Sequence, residues 1–131
     1  MSNHRKPPIM NLYRSGFLRS PAWFARRDRW FTQQAALGWP LVCAACGRPA
    51  SKRQLQLHHL DYTGVTIIQG RYKALEAHED LIPLHAYCHD LLHRLIDRDV
   101  VLSRNRTRRD ATRLALERLR PALQSPDGSP S

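Results

Sequence analysis

No apolar run in this chain of 131 residues approaches the ~18 residues that a membrane-spanning helix needs. Nor does the N-terminal stretch combine a basic segment, an apolar run and a small-residue cleavage site, so secretion is not expected. Cysteine is scarce and odd in number. Three thiols cannot all pair with one another, which favours the cytosol, where thiols stay reduced, over a disulfide scaffold. Carboxylates are scarce too: 11 Asp and Glu face 21 Lys and Arg, for a formal charge of +10 with histidine neutral. An excess of that size points to an anionic partner, nucleic acid by default, with DNA, RNA and acidic proteins all open. A chain this short builds one domain with a modest core that a metal can reinforce.

What is present is segregated. Residues 1–36 carry 7 basic and 1 acidic side chains, residues 37–100 carry 7 of each, and residues 101–131 carry 7 and 3. The basic excess therefore lies in the flanks. The neutral middle holds all three cysteines and six of the seven histidines.

The organisation reads as α+β, a zinc-stabilised core at 41–97 with helices on either side. Residues 1–16 form a basic, loosely ordered arm with no clear period. Ser20-Pro21 reads as an N-cap and first helical residue, opening a leader helix over about 20–35 with Trp23 and Trp30 as core and Arg26 and Arg27 as a solvated basic face. Leu55, Leu57 and His59 alternate with Gln54, Gln56 and His58, the period of a strand that ends at the histidine pair. Residues 61–79 form a long loop or a loop carrying a small strand pair. Leu81 to Leu84 can make a second short strand, with Pro83 at an edge. Residues 86–97 read as a helix, and residues 101–124 as a basic segment whose helix begins at about Thr107 and runs to Pro121. The tail at 125–131 has the composition of a disordered segment.

Two constellations carry chemistry. Cys43-x2-Cys46-Gly47 has the spacing of a zinc knuckle, and His85-x2-Cys88 supplies a second half-site, giving a closed Cys3His set suited to structural Zn2+. His58, at the end of the first strand, joins His89 and His93, one turn apart on the following helix. Three imidazoles of this kind hold a divalent ion and leave positions open, as hydrolytic sites require. Adjacent strand residues project differently, so His59 stays off the ion and is the candidate general base. His78 has no partner at ligand spacing and stays a loop histidine.

The set Cys43-x2-Cys46, His58-His59, Asp80-Leu81, His85-x2-Cys88-His89 and His93 resembles the His-Asn-His (HNH) endonucleases, and Leu18-Arg19-Ser20-Pro21-Ala22-Trp23 is similar to the leader of small bacterial and phage members. The resemblance covers about residues 17–96, within a nuclease domain at 17–100. It implies a ββα-metal (His-Me finger, treble-clef-like) core. It further implies a general base at His59, catalytic-ion ligands at His58, His89 and His93, and DNA nicking with 5′-phosphate and 3′-hydroxyl products. Asp80 stands where the name-giving asparagine usually does, with Glu76 and Asp80-Leu81 forming a variant pattern. Asp80 can accept from a backbone N–H, or from the ring N–H of His59 and raise its basicity. The catalytic ion can be Mg2+, Mn2+, Ni2+ or Zn2+. Arg26, Arg27, Arg71, Lys73 and Arg94 are the candidate phosphate contacts. No separate recognition domain is visible, so weak sequence preference, a homodimer for double-strand cutting or a specificity-conferring partner protein is expected, in a bacterial or phage-encoded cytoplasmic setting. The competing class is a zinc-stabilised nucleic-acid-binding module that does not cut.

Overall fold

The computed structural model describes residues 15–99 and 107–124. Most of the N-terminal arm, the whole of the tail and the segment before the last helix lie outside them. The described residues form a mixed α+β structure with two small antiparallel sheets.

Helix α1 runs Pro21–Ala36, capped as its sequence predicts: the Ser20 hydroxyl accepts from the Trp23 N–H at 3.2 Å, and Pro21 takes the first position. Trp23, Arg26, Trp30 and Phe31 are buried, a stripe at i, i+3, i+7 and i+8. The helix stops where Leu37 caps it and Gly38 turns to φ +77°. A tight turn follows, in which a bridge between Val42 and Pro49 brackets the first two cysteines and Gly47 adopts φ +76°.

Strand β1 (Leu55–His59) then pairs antiparallel with β4 (Leu81–His85), Leu55 opposite His85 and His59 opposite Leu81. Pro83 sits opposite Leu57, and its carbonyl turns outward to the Ala44 N–H at 2.8 Å. The missing proline N–H therefore lies on the outer edge and no ladder bond is lost. Between these strands the loop carries a second ribbon, β2 (Val65–Ile68) and β3 (Arg71–Ala74), closed by Gln69 at φ +52° and Gly70 at φ +76°. Positive φ at both central residues is the hairpin turn whose twist matches its strands.

Helix α2 (Ala86–Arg98) starts directly from β4, and α3 (Arg108–Leu123) packs against it. The Thr107 hydroxyl accepts from the Asp110 N–H, as the weak capping pattern suggested. The helix passes through Pro121 rather than ending there and continues to Leu123. One core joins Phe17, Trp23, Trp30, Leu55, Leu57, Val65, Ala74, Leu81, Leu84, Leu92 and Leu116, so both sheets and all three helices share it. No helix among the described residues is long and apolar enough to cross a membrane.

Gly64 is required by packing. A Cβ there would lie 2.6 Å from the Glu76 nitrogen and 2.8 Å from the Leu75 carbonyl carbon, where the loop closes through a Leu75 N–H to Gly64 carbonyl bond. Because those atoms are backbone and cannot swing away, Gly64→Ala is expected to cost about 1–3 kcal/mol, as overpacking does. Urea unfolding checks this, and a wild-type midpoint would refute it.

Candidate metal centres

The first centre forms where β4 hands over to α2. Cys43, Cys46, His85 and Cys88 bring one ligand atom each to within 4.8 Å of the others, a set that could bind zinc. His85 occupies the N-cap of α2 but caps nothing with its side chain, whose Nδ1 lies 3.3 Å from Cys46 Sγ. Its backbone N–H points at Cys43 Sγ, at 3.4 Å. Burial would raise the Cys43 thiol, but backbone N–H groups of Cys46, His85 and Ala45 outweigh it and hold the thiol below its ordinary range. Cys88 moves the other way, pushed up to about 12 by burial and by the neighbouring thiols. Three sulfurs in this space lose their mutual repulsion when a cation takes the centre.

The second centre lies one residue further along α2. His58 comes from β1, and His89 and His93 from α2, with ligand atoms again within 4.8 Å. His58 Nδ1 lies 3.2 Å from His89 Nε2, which lies 3.0 Å from His93 Nε2. Ligands at ~2.0–2.1 Å on a tetrahedral ion sit roughly 3.3 Å apart, close to this spacing. The far nitrogens are engaged by oxygens: His58 Nε2 with Thr112 Oγ1 at 2.9 Å, and His89 Nδ1 with Gln56 Oε1 at 2.8 Å. Gln56 Oε1 can only accept, so His89 Nδ1 carries the proton and its Nε2 lone pair turns to the shared point, while Thr112 orients the His58 ring, the outer arrangement of histidines that ligate metals. Burial lowers all three imidazoles, aided by the Arg108 charge and, for His58 and His89, by neighbouring rings; His89 is lowered to about 4. They are therefore neutral near pH 7, the state that ligation needs.

His59 faces away from this cluster. It is 2% exposed, its ring stacked on Tyr62 at 4.2 Å and packed by Trp23 and Phe17. Its Nε2 bonds Glu76 Oε2 at 2.7 Å, and Glu76 is equally buried. The acid that reaches His59 is thus Glu76. Asp80, considered above for that contact, instead accepts from Arg109 at 2.6 Å, and Arg109 also reaches Asp61. The backbone carbonyl of Asp80 fixes the loop by accepting from the Leu60 N–H.

The candidate phosphate contacts divide. Arg26 is 4% exposed and donates from Nε to the Glu76 carbonyl, so it is a core strut and not part of a solvated face. Arg27 holds the Lys52 and Leu55 carbonyls at the start of β1. Arg94 pairs with Asp90 one turn away. Arg71 and Lys73 are exposed on β3 and enter no ion pair among the described residues. His78 stacks on Trp30 at 4.9 Å and bonds Gln33 and Gln34, tying the loop to α1.

Thr112 and Gln56 were not singled out from sequence. The signal for Thr112 is a polar residue inside the buried stripe Ala111, Thr112, Ala115 and Leu116 of α3. Gln56 offered none beyond its neighbourhood. Comparisons with protein-family models, curated proteins and solved structures return no match.

Two predictions follow from the centres. A thiol reagent should release about one equivalent of zinc from the wild-type chain and much less from Cys43→Ser; equal release would contradict the Cys3His assignment. Thr112→Val should weaken Co2+ or Ni2+ binding at the histidine centre by about 10–100-fold while leaving the thiol-bound zinc in place. Titration followed by absorbance reads this, and unchanged affinity would remove the outer role of Thr112.

Proposed function

We propose that the chain is a metal-dependent endonuclease of the HNH type that nicks DNA, with β1, β4 and α2 as a ββα-metal unit on the zinc scaffold. The observation that supports the reading most is the convergence of His58, His89 and His93, with the outer nitrogens of two of them engaged by oxygens. The order of these ligands along the chain and the His59–Glu76 pair beside them add to it.

His58, His89 and His93 would hold Mg2+, Mn2+, Ni2+ or Zn2+. When bound, the ion supplies Lewis acidity toward a phosphate oxygen and the departing 3′ oxygen. The proton falls to His59. With Nε2–H donated to Glu76, the neutral ring keeps its lone pair on Nδ1, which takes a proton from water as the water oxygen attacks phosphorus in line. The bond from phosphorus to the 3′ oxygen breaks, and that oxygen takes up a proton from solvent, leaving 5′-phosphate and 3′-hydroxyl ends. Glu76 orients the ring and stabilises the imidazolium that forms, as a carboxylate does behind any histidine base.

One observation favours a second reading, a metal-stabilised nucleic-acid-binding module that does not cut. At 2% exposure, and packed by Phe17, Trp23 and Tyr62, His59 presents almost no surface to bulk water.

Supercoiled plasmid incubated with a panel of divalent ions separates the two. Nicked circles are expected, with His89→Ala, a half-exposed ligand, losing the activity and Glu76→Gln lowering it while duplex binding persists. Absence of cleavage on duplex DNA, single-stranded DNA and RNA with every ion, alongside retained binding, would establish the module reading instead.

A further inference from the structure

We infer that the β2–β3 ribbon is the element through which the chain grips the major groove of duplex DNA; this deepens the nuclease reading by naming its substrate contact. In the observed register Thr66 pairs with Lys73 and Ile68 with Arg71, so these four side chains share one face. The opposite face carries Val65, Ile67, Tyr72 and Ala74, and packs inward where Tyr72 meets Phe17 at 5.6 Å. The outer face is exposed in all four residues, Ile68 at 51%.

Charge selects the partner. Residues 62–75 contain two cations and no carboxylate, although the surrounding segment 37–100 has as many acids as bases. The outer face therefore presents Arg71 and Lys73 to an anionic surface, with Ile68 and Thr66 opposite them on β2. Shape selects the groove. Two strand backbones lie about 4.8 Å apart, and side chains widen the ribbon beyond that, so it suits a major groove about 12 Å wide, which admits a two-stranded ribbon, better than a minor groove about 6 Å wide. The two-residue turn at Gln69-Gly70 adds no bulk at the tip. Arg71 and Lys73 then reach phosphates, and Ile68 and Thr66 face base edges, where an apolar side chain meets the thymine methyl.

The roots of the ribbon link it to His59. Tyr62, just before β2, stacks on that ring, and Glu76, just after β3, accepts its hydrogen bond. A duplex held by the ribbon is thus held at a set reach from His59.

Fluorescence anisotropy with a short labelled duplex tests the inference, using the zinc-loaded chain without added divalent ion and over a range of salt. Replacing both Arg71 and Lys73 by alanine should weaken binding and reduce the slope of log affinity against log salt by about 2, near 0.9 for each lost phosphate contact. Ile68→Ser should weaken duplex binding without changing that slope. Both substitutions sit on an exposed face, and unchanged circular dichroism confirms the fold. Wild-type affinity and slope in both variants would overturn the inference. So would a loss confined to single strands, or sedimentation showing that Ile68→Ser dissolves a dimer while duplex affinity stays. If ribbon variants lose duplex binding and no ion supports cleavage by the wild type, the nuclease reading fails and the ribbon stands. Nicking with full duplex affinity in the ribbon variants gives the reverse.

Discussion

The corner at His85 is the constraint on which the rest of the molecule hangs. There β4 ends and α2 begins, and the residue at the junction gives its side chain to a thiol cluster and not to the helix it caps. A two-stranded sheet is marginal alone in water, and β1–β4 is such a sheet. Fastening its end to Cys43 and Cys46 sets the direction in which α2 leaves. Cys88 closes the cluster, and the next residue, His89, is thereby aimed at the end of β1. His93 follows one turn on, and the register of β1 against β4 brings His58 to meet them.

Features of the chain that depend on nearest neighbours were legible in the residues alone. Cys-x2-Cys, His-x2-Cys and an i,i+4 histidine pair are local geometry, and each converges in the fold. The Ser20 cap and the alternation of β1 are of the same kind. What escaped depends on which distant segment arrives. Arg26 lies between Trp23 and Trp30 on the buried stripe, so its spacing pointed inward while its charge pointed out; the Glu76 carbonyl, fifty residues away, settles the matter. Similarly, Glu76 and Asp80 were both within sequence reach of His59. The hairpin between them and β1 turns Glu76 inward and leaves Asp80 for Arg109, a result that no local pattern encodes.

The His59–Glu76 pair is costly to build. Both groups leave water, and a buried polar group recovers that loss only when its hydrogen-bonding valences are met. Here they are not all met, since Glu76 Oε1 is buried with no hydrogen-bond partner among the described residues. Around the pair the chain concentrates its aromatic rings, Phe17, Trp23 and Tyr62, while Gly64 lets the loop backbone close over Glu76. Replacing a buried polar pair by well-packed apolar residues of similar volume is often neutral or stabilising.

Helix α3 reaches the surroundings of both candidate metal sites. Near its start Arg108 donates to the His59 carbonyl and Thr112 engages His58; near its end Arg120 donates to the Ala44 carbonyl, and Gln124, its C-cap, donates to the Ala45 carbonyl. A 16-residue helix is a rod about 24 Å long, stiff compared with the loops it spans. The two sites are accordingly geared together from outside as well as through α2. One stiff element thus contacts both candidate ligand sets, so a shift in how α3 seats would reach the cysteine turn and the His58 ring together.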